Sequence, residues 1–365
     1  MPELSGFRKP NCAIVSEMMR MRMNTLQHCA ATLALALAAT LPSAAADFQY
    51  FRLGNPTDLA TRPSPGIAMM GGGSDLDEAF RWLCQKANGG DFLILRARGD
   101  DDYNAWVNGL CRLNSVATLI LPNRQAAQDP AVDKIIRQAE VIFIAGGDQS
   151  NYIRGWKGTL VDAAINADIA AAKPIGGTSA GLAVLGEFAY GALGDKPDDD
   201  DLASPQVLSN PFLDRVTVVR GFLQNPQLAG ILTDSHFARR DRMGRSLGFL
   251  ARIMQDGWSP SPREIAIDEK SAVLVEADGK ATVVGQGKGA YLLQPTEPPA
   301  VCQSNQPLTF RKIHVYRLPT GGHFDLRSWS VKSGSVEKGS AEVADYFLSV
   351  EAGKIESTQP GGAIY

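Results

Sequence analysis

The chain has 365 residues, of which 44% are hydrophobic and 21% are charged, a composition typical of globular proteins that bury a large core. The formal net charge of −3 and the lack of a basic stripe with interleaved aromatic residues argue against a nucleic-acid partner. No histidine–cysteine cluster suggests a metal site, and we expect no cofactor.

The N-terminal segment carries the three regions of a secretory signal peptide. A basic start at Arg22 is followed by an apolar run over residues 30–41 and by small residues up to Ala46. The run is shorter than the roughly 20 residues that span a bilayer. We therefore expect residues 1–46 to be an upstream extension plus a signal peptide, cleaved after Ala46. The mature protein, residues 47–365, should be periplasmic or secreted and free of the membrane.

Cys84, Cys111 and Cys302 remain after this cleavage. An exported protein meets oxidising conditions, under which Cys84 and Cys111 are a candidate disulfide pair. The alternative is three buried thiols that act as small hydrophobic residues.

From Gly66 onward, short apolar runs alternate with helical patterns. The predicted strands cover residues 66–73, 91–97, 116–121, 141–147 and 173–177, and the predicted helices cover 75–87, 103–113, 131–139 and 158–172. Continuous apolar strands between helices indicate an α/β fold, a doubly wound and mostly parallel sheet flanked by helices. Ligands bind such sheets at the carboxyl ends of the strands, where the glycine-rich turns of this sequence fall.

The second half of the chain is richer in predicted strands. The acidic insertion over residues 194–206 contains Asp198–Asp201, and we expect a solvated loop there, since calcium-type ligand spacing is lacking. Strands are predicted at 215–222, 230–237 and 311–318, a helix at 242–255, and hairpins within 264–293 that turn at 277–280 and near Gly287. No linker or repeat divides the chain. We predict one catalytic domain over 47–365, with a β-rich C-terminal part from about residue 295.

The segment Gly177-Thr178-Ser179-Ala180-Gly181 fits the G-x-S-x-G pattern of a nucleophile turn. A predicted strand before it and a predicted helix after it would hold the serine in a strained, exposed conformation. The helix N-terminus directs free N–H groups toward a developing oxyanion. The alternative is a glycine-rich turn with a capping serine.

A serine nucleophile needs a base and an acid that orients the base. His314 lies within a predicted strand and His323 in a turn, positions at which a lone histidine is more often structural. His236 differs because it ends a predicted strand and precedes a cluster of arginines. The candidates for the orienting acid are Glu269, Asp214 and Asp234. The residues alone do not decide among them.

Four motifs, GGTSAG, FIAGGDQ at 143–149, DSHFARRDRMGR and AIDEKSA, resemble in their order those of the cyanophycinase family of serine peptidases, which has the class I glutamine-amidotransferase-like fold. The resemblance covers most of residues 66–293. It implies a triad of Ser179, His236 and Glu269 that hydrolyses cyanophycin or related β-aspartyl peptides to β-Asp-Arg dipeptides. We expect the backbone N–H groups of Gly147 and Ala180 to bind the oxyanion.

The resemblance also implies a set of residues that bind the peptide or isopeptide substrate. These residues are Gln149, Asp234, Arg240, Arg242 and Arg245. Cyanophycin offers carboxylates, which arginine forks bind bidentately. The alternative for the arginines is a solvated, basic start of a helix. Ser235 stands where the family usually has glutamine, which leaves the natural substrate open.

Two other functions fit parts of the sequence. In an α/β-hydrolase esterase the acid normally precedes the histidine in the chain, so Asp214 would orient His236. In a non-catalytic exported peptide-binding protein, Ser179 would be structural. The glycines at 71–73 do not make a dinucleotide-binding motif, because Leu76 stands where that motif needs glycine. We expect a tight turn there. The sequence leaves open the role of residues 98–103 and whether the chain is a homodimer.

Overall fold

The computed structural model describes residues 47–196, 200–331 and 342–365. The predicted extension and signal peptide at 1–46 lie outside this range. The strands are Gln49–Gly54 (β1), Gly66–Met70 (β2), Asp91–Arg96 (β3), Ser115–Ile120 (β4), Val141–Ile144 (β5), Ile175–Thr178 (β6), Phe188–Tyr190 (β7), Val218–Arg220 (β8), Ile231–Asp234 (β9), Arg263–Ile267 (β10), Ser271–Glu276 (β11), Lys280–Gly285 (β12), Ala290–Pro295 (β13), Phe310–Leu318 (β14), His323–Asp325 (β15), Ser330–Val331 (β16), Ala344–Glu351 (β17) and Lys354–Ser357 (β18).

Helices follow most strands of the first half. They are Asp77–Ala87 (α1), Asp102–Leu110 (α2), Pro130–Gln138 (α3), Gln149–Trp156 (α4), Leu160–Ala170 (α5), Ala180–Ala183 (α6), Ser204–Ser209 (α7) and Met243–Gln255 (α8). Sequence periodicity missed α4, and it missed α7 because that helix begins inside the predicted acidic loop.

The first sheet has the strand order β1-β4-β3-β5-β6-β2-β11-β12-β15-β16. Its centre, from β4 to β2, is parallel, and the outer strands run antiparallel. Every residue of β2 is buried, because Ala68 and Met70 face one core while Ile67 and Met69 face the other. Helices α1 and α2 pack on the first of these cores, and α3 to α5 pack on the second. The predicted doubly wound α/β fold is therefore confirmed.

A second sheet has the order β18-β17-β14-β13-β10-β9-β7-β8 and is mostly antiparallel, except that β10, β9 and β7 are parallel neighbours. Its strands begin at Phe188, earlier than the predicted β-rich boundary near residue 295. Helix α8 covers one of its faces. On the other face, residues of β9 and β10 share one buried cluster with β2 and β11 of the first sheet. The two sheets thus meet over a common core.

The predicted hairpins are only partly present. β11 and β12 pair antiparallel around residues 277–280, as predicted. The predicted turn near Gly287 does not close a hairpin, because β13 pairs with β10 and β14 in the second sheet. Here the chain passes from one sheet to the other, which a local turn signal does not reveal.

A disulfide joins Cys84 in α1 to Cys111, which directly follows α2, with their Cα atoms 6.1 Å apart. Cys302 is a buried free thiol. Residues 47–365 form one compact unit. Within the described ranges, none of the helices combines the length and the apolar character needed to cross a bilayer.

Candidate active site

Ser179 lies in a sharp turn between β6 and α6. Its backbone has φ 52° and ψ −116°, a conformation that L-residues rarely adopt. Its N–H donates to Met70 O at 3.1 Å, which ties the turn to the end of β2. A Cβ atom on Gly177 would lie 2.6 Å from the carbonyl carbon of Gly181. The strand and helix approach so closely that both motif positions need glycine.

His236 and Glu269 follow the neighbouring strands β9 and β10 and lie beside this serine. The two strands run parallel with Asp234 opposite Ala266, so that residues beyond their carboxyl ends meet at one edge. His236 Nε2 lies 2.7 Å from Ser179 Oγ, and His236 Nδ1 lies 2.7 Å from Glu269 Oε1. Glu269 is thus the acid that contacts His236, among the three that the sequence left open.

The other two candidate acids lie elsewhere. Asp214 is exposed in the segment before β8. Asp234 is buried, and its carboxylate is bound by arginine side chains.

The glycines at 71–73 pack against His236 and Glu269. Gly71 O accepts a hydrogen bond from His236 N at 2.8 Å. Gly72 has φ +88°, and a Cβ there would lie 2.5 Å from the His236 ring. A Cβ on Gly73 would lie 3.1 Å from Glu269 Cβ. The sequence predicted a tight turn here, and the structure adds that this turn makes room for the imidazole.

Asp75 is a residue of the site that sequence reasoning missed. Its Oδ1 accepts a hydrogen bond from Thr178 Oγ1 at 2.6 Å, and its Oδ2 accepts one from Tyr103 O–H at 2.5 Å. Thr178 directly precedes Ser179, so Asp75 holds the strand end from which the turn departs. Burial raises the pKa of Asp75, and the two hydrogen bonds only partly offset this. The sequence could have indicated Asp75 by its position, because Asp75 and Tyr103 both follow predicted strands whose carboxyl ends face the site.

The electrostatics of His236 favour the neutral imidazole. Burial is the largest cause that lowers the pKa of His236, and the guanidiniums of Arg240 and Arg242 lower it further, while the hydrogen bond to Glu269 partly raises it. The pKa of Glu269 is lowered, mainly by that same hydrogen bond. At neutral pH the imidazole can therefore accept a proton at Nε2 while Nδ1–H donates to a carboxylate.

Two backbone segments border Ser179 as an oxyanion site requires. Ala180 is the first residue of α6, whose N–H has no acceptor within the helix. Gly146 and Gly147 follow β5, and a Cβ on Gly146 would lie 3.5 Å from Ser179 Cβ. Gly147 has φ +145°, which glycine adopts readily.

Beside Gly147 opens a cleft of about 720 Å³. Gln149 lines it from the first turn of α4, where Asp148 caps the helix by accepting from Ser150 N at 2.8 Å. Arg240 also lines it and is exposed. Arg98, whose role the sequence left open, also lines this cleft. Gln149 and Arg240 thus line the same cleft as Gly146 and Gly147, which border Ser179.

Two of the predicted substrate-binding residues do not reach the cleft. The Arg245 side chain is 1% exposed, and that of Asp234 is 4% exposed. Arg245 donates through Nε and Nη2 to both carboxylate oxygens of Asp234 at 2.7–3.0 Å. A buried arginine that is already paired in this way cannot bind a substrate carboxylate. The prediction that Arg245 and Asp234 contact the substrate is corrected accordingly.

Arg242 lines the cleft, but it too is already paired. Its Nη1 donates to Ser235 O at 2.9 Å and to Asp234, and its Nη2 donates to Asp201 Oδ2 at 2.6 Å. Asp201 is exposed, as the acidic insertion predicts, but its carboxylate is paired with two arginines. Burial raises the pKa of Asp201, but the Arg242 and Arg245 guanidiniums outweigh burial and hold it below the usual value. Ser235, where the resemblance predicts glutamine, is buried and is not among the residues that line the cleft.

Comparisons with known proteins found one family model and several similar proteins. Residues 75–208 match the model of peptidase family S51. A cyanophycinase of Synechococcus elongatus is 25% identical over 283 residues, which cover 73% of this chain and 81% of the relative. A cyanophycinase of a Nostoc species is 27% identical over 218 residues, 58% of this chain and 65% of the relative. A solved peptidase from an acI-B1 Actinobacterium aligns with a TM-score of 0.44 and 18% identity over 72% of this chain and 98% of its own.

The family match and the similar cyanophycinases together indicate that the chain is a serine-type peptidase. The resemblance to the cyanophycinase family of serine peptidases that the sequence motifs predicted is confirmed.

Proposed function

We propose that this peptidase is exported and hydrolyses cyanophycin or related β-aspartyl peptides to β-Asp-Arg dipeptides through a triad of Ser179, His236 and Glu269. The observation that carries the proposal is the continuous chain of hydrogen bonds from Ser179 Oγ through both imidazole nitrogens to Glu269 Oε1, each link 2.7 Å long.

Acylation would begin with attack of Ser179 Oγ on the scissile carbonyl carbon. The serine proton passes to His236 Nε2 as the C–O bond forms. Glu269 accepts the Nδ1–H hydrogen bond and stabilises the imidazolium. The tetrahedral oxyanion is placed against the N–H groups of Gly147 and Ala180.

The tetrahedral intermediate would then collapse to an acyl-enzyme. His236 donates its Nε2 proton to the leaving amine as the C–N bond breaks. Water enters, loses a proton to the same nitrogen and attacks the ester carbon. The C–O bond to Ser179 then breaks, His236 Nε2 returns its proton to Ser179 Oγ, and the acid is released.

The substrate class is supported by the relatives and by the cleft. The similar proteins are named cyanophycinases. Gln149 and Arg240 line the cleft beside Gly147, and Arg98 adds a further exposed guanidinium there. An amide and unburied cations suit a peptide rich in polar groups and carboxylates.

The direct test is to incubate residues 47–365 with cyanophycin and to identify the products by mass. We expect β-Asp-Arg dipeptides, and we expect Ser179→Ala to lower turnover by about 10⁴-fold or more, because triad members act as a unit. Ser179→Ala should also abolish labelling by a fluorophosphonate. Turnover at the wild-type rate in that variant would exclude Ser179 as the nucleophile.

The choice of orienting acid has its own test. Glu269→Gln should lower kcat far more than Asp214→Asn, because glutamine cannot stabilise the imidazolium. Asp214 serves as the matched control, since it is exposed and does not contact His236. The reverse order would favour the esterase arrangement.

Export is tested by the mass of the protein recovered outside the cytoplasm. We expect a chain that starts at Asp47, because the small-residue pattern ends at Ala46. A product that retains Met1 or Met21 would contradict cleavage at this site.

A further inference from the structure

The Arg242–Arg245 pair, which the sequence suggested as a site for a substrate carboxylate, is already occupied by two carboxylates of the chain. Asp234 holds the buried side of the pair and contacts both guanidiniums. Asp201 holds the side that faces the cleft. Two cations therefore meet two anions, and the pair has no net charge left for a ligand.

Asp201 occupies the same positions that a bound carboxylate would take. Its Oδ2 accepts from Arg242 Nη2 at 2.6 Å and from Nε at 3.1 Å, which is the outer edge of that guanidinium. Its Oδ1 accepts from Arg245 Nη1 at 3.0 Å. One carboxylate thus bridges two arginines, an arrangement typical of anion recognition.

The position of Asp201 distinguishes it from its buried partner. Its side chain is 40% exposed, against 4% for Asp234. Asp201, Asp200, Arg240 and Arg242 all line the cleft beside the nucleophile turn. Removing the Asp201 carboxylate would therefore open the outer edge of Arg242 to the cleft, while Asp234 would still hold both arginines in place.

We propose that Asp201 determines the specificity of this cleft by filling the carboxylate-binding edge of Arg242 and Arg245. The wild-type enzyme accordingly takes substrates whose group at this position is not a carboxylate. Substrate carboxylates are left to the exposed Arg240, which lies 3.8 Å from Asp201. This inference rests on the proposed peptidase function, but it is tested by binding as well as by turnover.

The binding experiment uses protein with Ser179→Ala and succinate as a small carboxylate probe. Adding Asp201→Asn should tighten succinate binding, measured calorimetrically, by about 10- to 150-fold, the range for a regained charge-assisted hydrogen bond. Asp200→Asn is the matched control, because it removes an adjacent charge without touching the arginine pair. It should leave binding unchanged. Adding Arg242→Gln to Asp201→Asn should abolish the gain.

The turnover experiment compares two isopeptides that differ in one group, β-Asp-arginine and β-Asp-argininamide. Asp201→Asn in the active enzyme should raise kcat/KM for the carboxylate form relative to the amide form by at least 10-fold. Asp200→Asn should leave this ratio as it is in the wild type. Asp201→Ser, which opens the same edge of Arg242, gives an independent reading if the asparagine variant does not fold.

The outcomes separate this proposal from the proposed function. If wild-type protein hydrolyses neither isopeptide, the assigned substrate fails and succinate binding still tests the role of Asp201. Equal succinate binding with and without Asp201 would overturn the proposal, and so would binding by neither form. If Asp200→Asn tightened succinate binding equally, the effect would come from net charge alone, and the proposal would be overturned as well.

Discussion

At the scale of single residues, the candidate triad stores backbone strain. Ser179 has φ 52° and His236 has φ 48°, and residues in such regions cost about 1–3 kcal/mol each. Both conformations are held by the end of β2, because Ser179 N donates to Met70 O and His236 N donates to Gly71 O. The end of β2 therefore fixes the placement of Ser179 relative to His236.

The pH dependence follows from the surroundings of His236. Because the neutral imidazole is the base and burial lowers its pKa, kcat/KM should rise with pH with a midpoint below the ordinary histidine value of about 6.5. Arg240→Ala removes a cation that lowers this pKa, so the midpoint should move up. Glu269→Gln removes the hydrogen bond that raises it, so the midpoint should move down. The measurement is kcat/KM for a neutral ester from about pH 4 to 9. A wild-type midpoint above 6.5 would contradict the assignment.

Asp75 should act on the reaction by positioning the serine turn. Asp75→Asn keeps the shape of the side chain but weakens the bonds from Thr178 and Tyr103, so kcat should fall about 10-fold while KM changes little. Labelling of Ser179 by a fluorophosphonate should slow in parallel. Tyr103→Phe, which leaves the bond to Thr178 intact, is the control and should have a smaller effect. If Asp75→Asn lowered the melting temperature but left kcat unchanged, Asp75 would have only a structural role.

At the scale of elements, the length and the apolar pattern of each strand determine whether it can be predicted from the sequence. The central strands are continuous apolar runs, which predict a buried parallel sheet from sequence alone. β7 and β8 have three residues each, too few for a periodic signal. The acid could not be chosen from the residues, because the choice depends on β9 lying beside β10. Nor could sequence show that Arg242 pairs with Asp201, 41 residues away.

The disulfide between α1 and the end of α2 should stabilise the fold without affecting catalysis. Replacing Cys84 and Cys111 together by serine should lower the free energy of unfolding by about 2–4 kcal/mol, since the bond closes a loop over a separation of 27 residues. Both cysteines lie near helix C-termini, at the edge of the sheet opposite the nucleophile turn. Urea denaturation and kcat/KM at low temperature measure the two effects. A loss of kcat/KM in the folded variant would place the bond closer to the site than its position indicates.

At the scale of the whole molecule, the two sheets share the core that supports the site. Ile267 ends β10, two residues before Glu269, and packs in the cluster common to both sheets. Leu348 in β17 is equally buried but lies in the outer cluster of the second sheet. Alanine substitutions at Ile267 and Leu348 therefore remove similar buried side chains, one near the candidate active site and one far from it.

Ile267→Ala and Leu348→Ala should each cost about 2–5 kcal/mol of stability. Only Ile267→Ala should also lower kcat, because the cavity lets the strand end that carries Glu269 shift. Denaturation curves and kcat under conditions in which both variants are folded provide the comparison. Equal losses of kcat in the two variants would show that activity follows global stability rather than the contact between the sheets.

The candidate triad is divided between the two sheets, so we expect hydrolytic activity only from a chain in which both sheets have formed. A growing or broken chain that ends before β9 contains Ser179 but neither His236 nor Glu269. Its serine has no base and is as unreactive as any surface hydroxyl. We therefore expect a nascent chain to become active only after β9 and β10 have joined the fold.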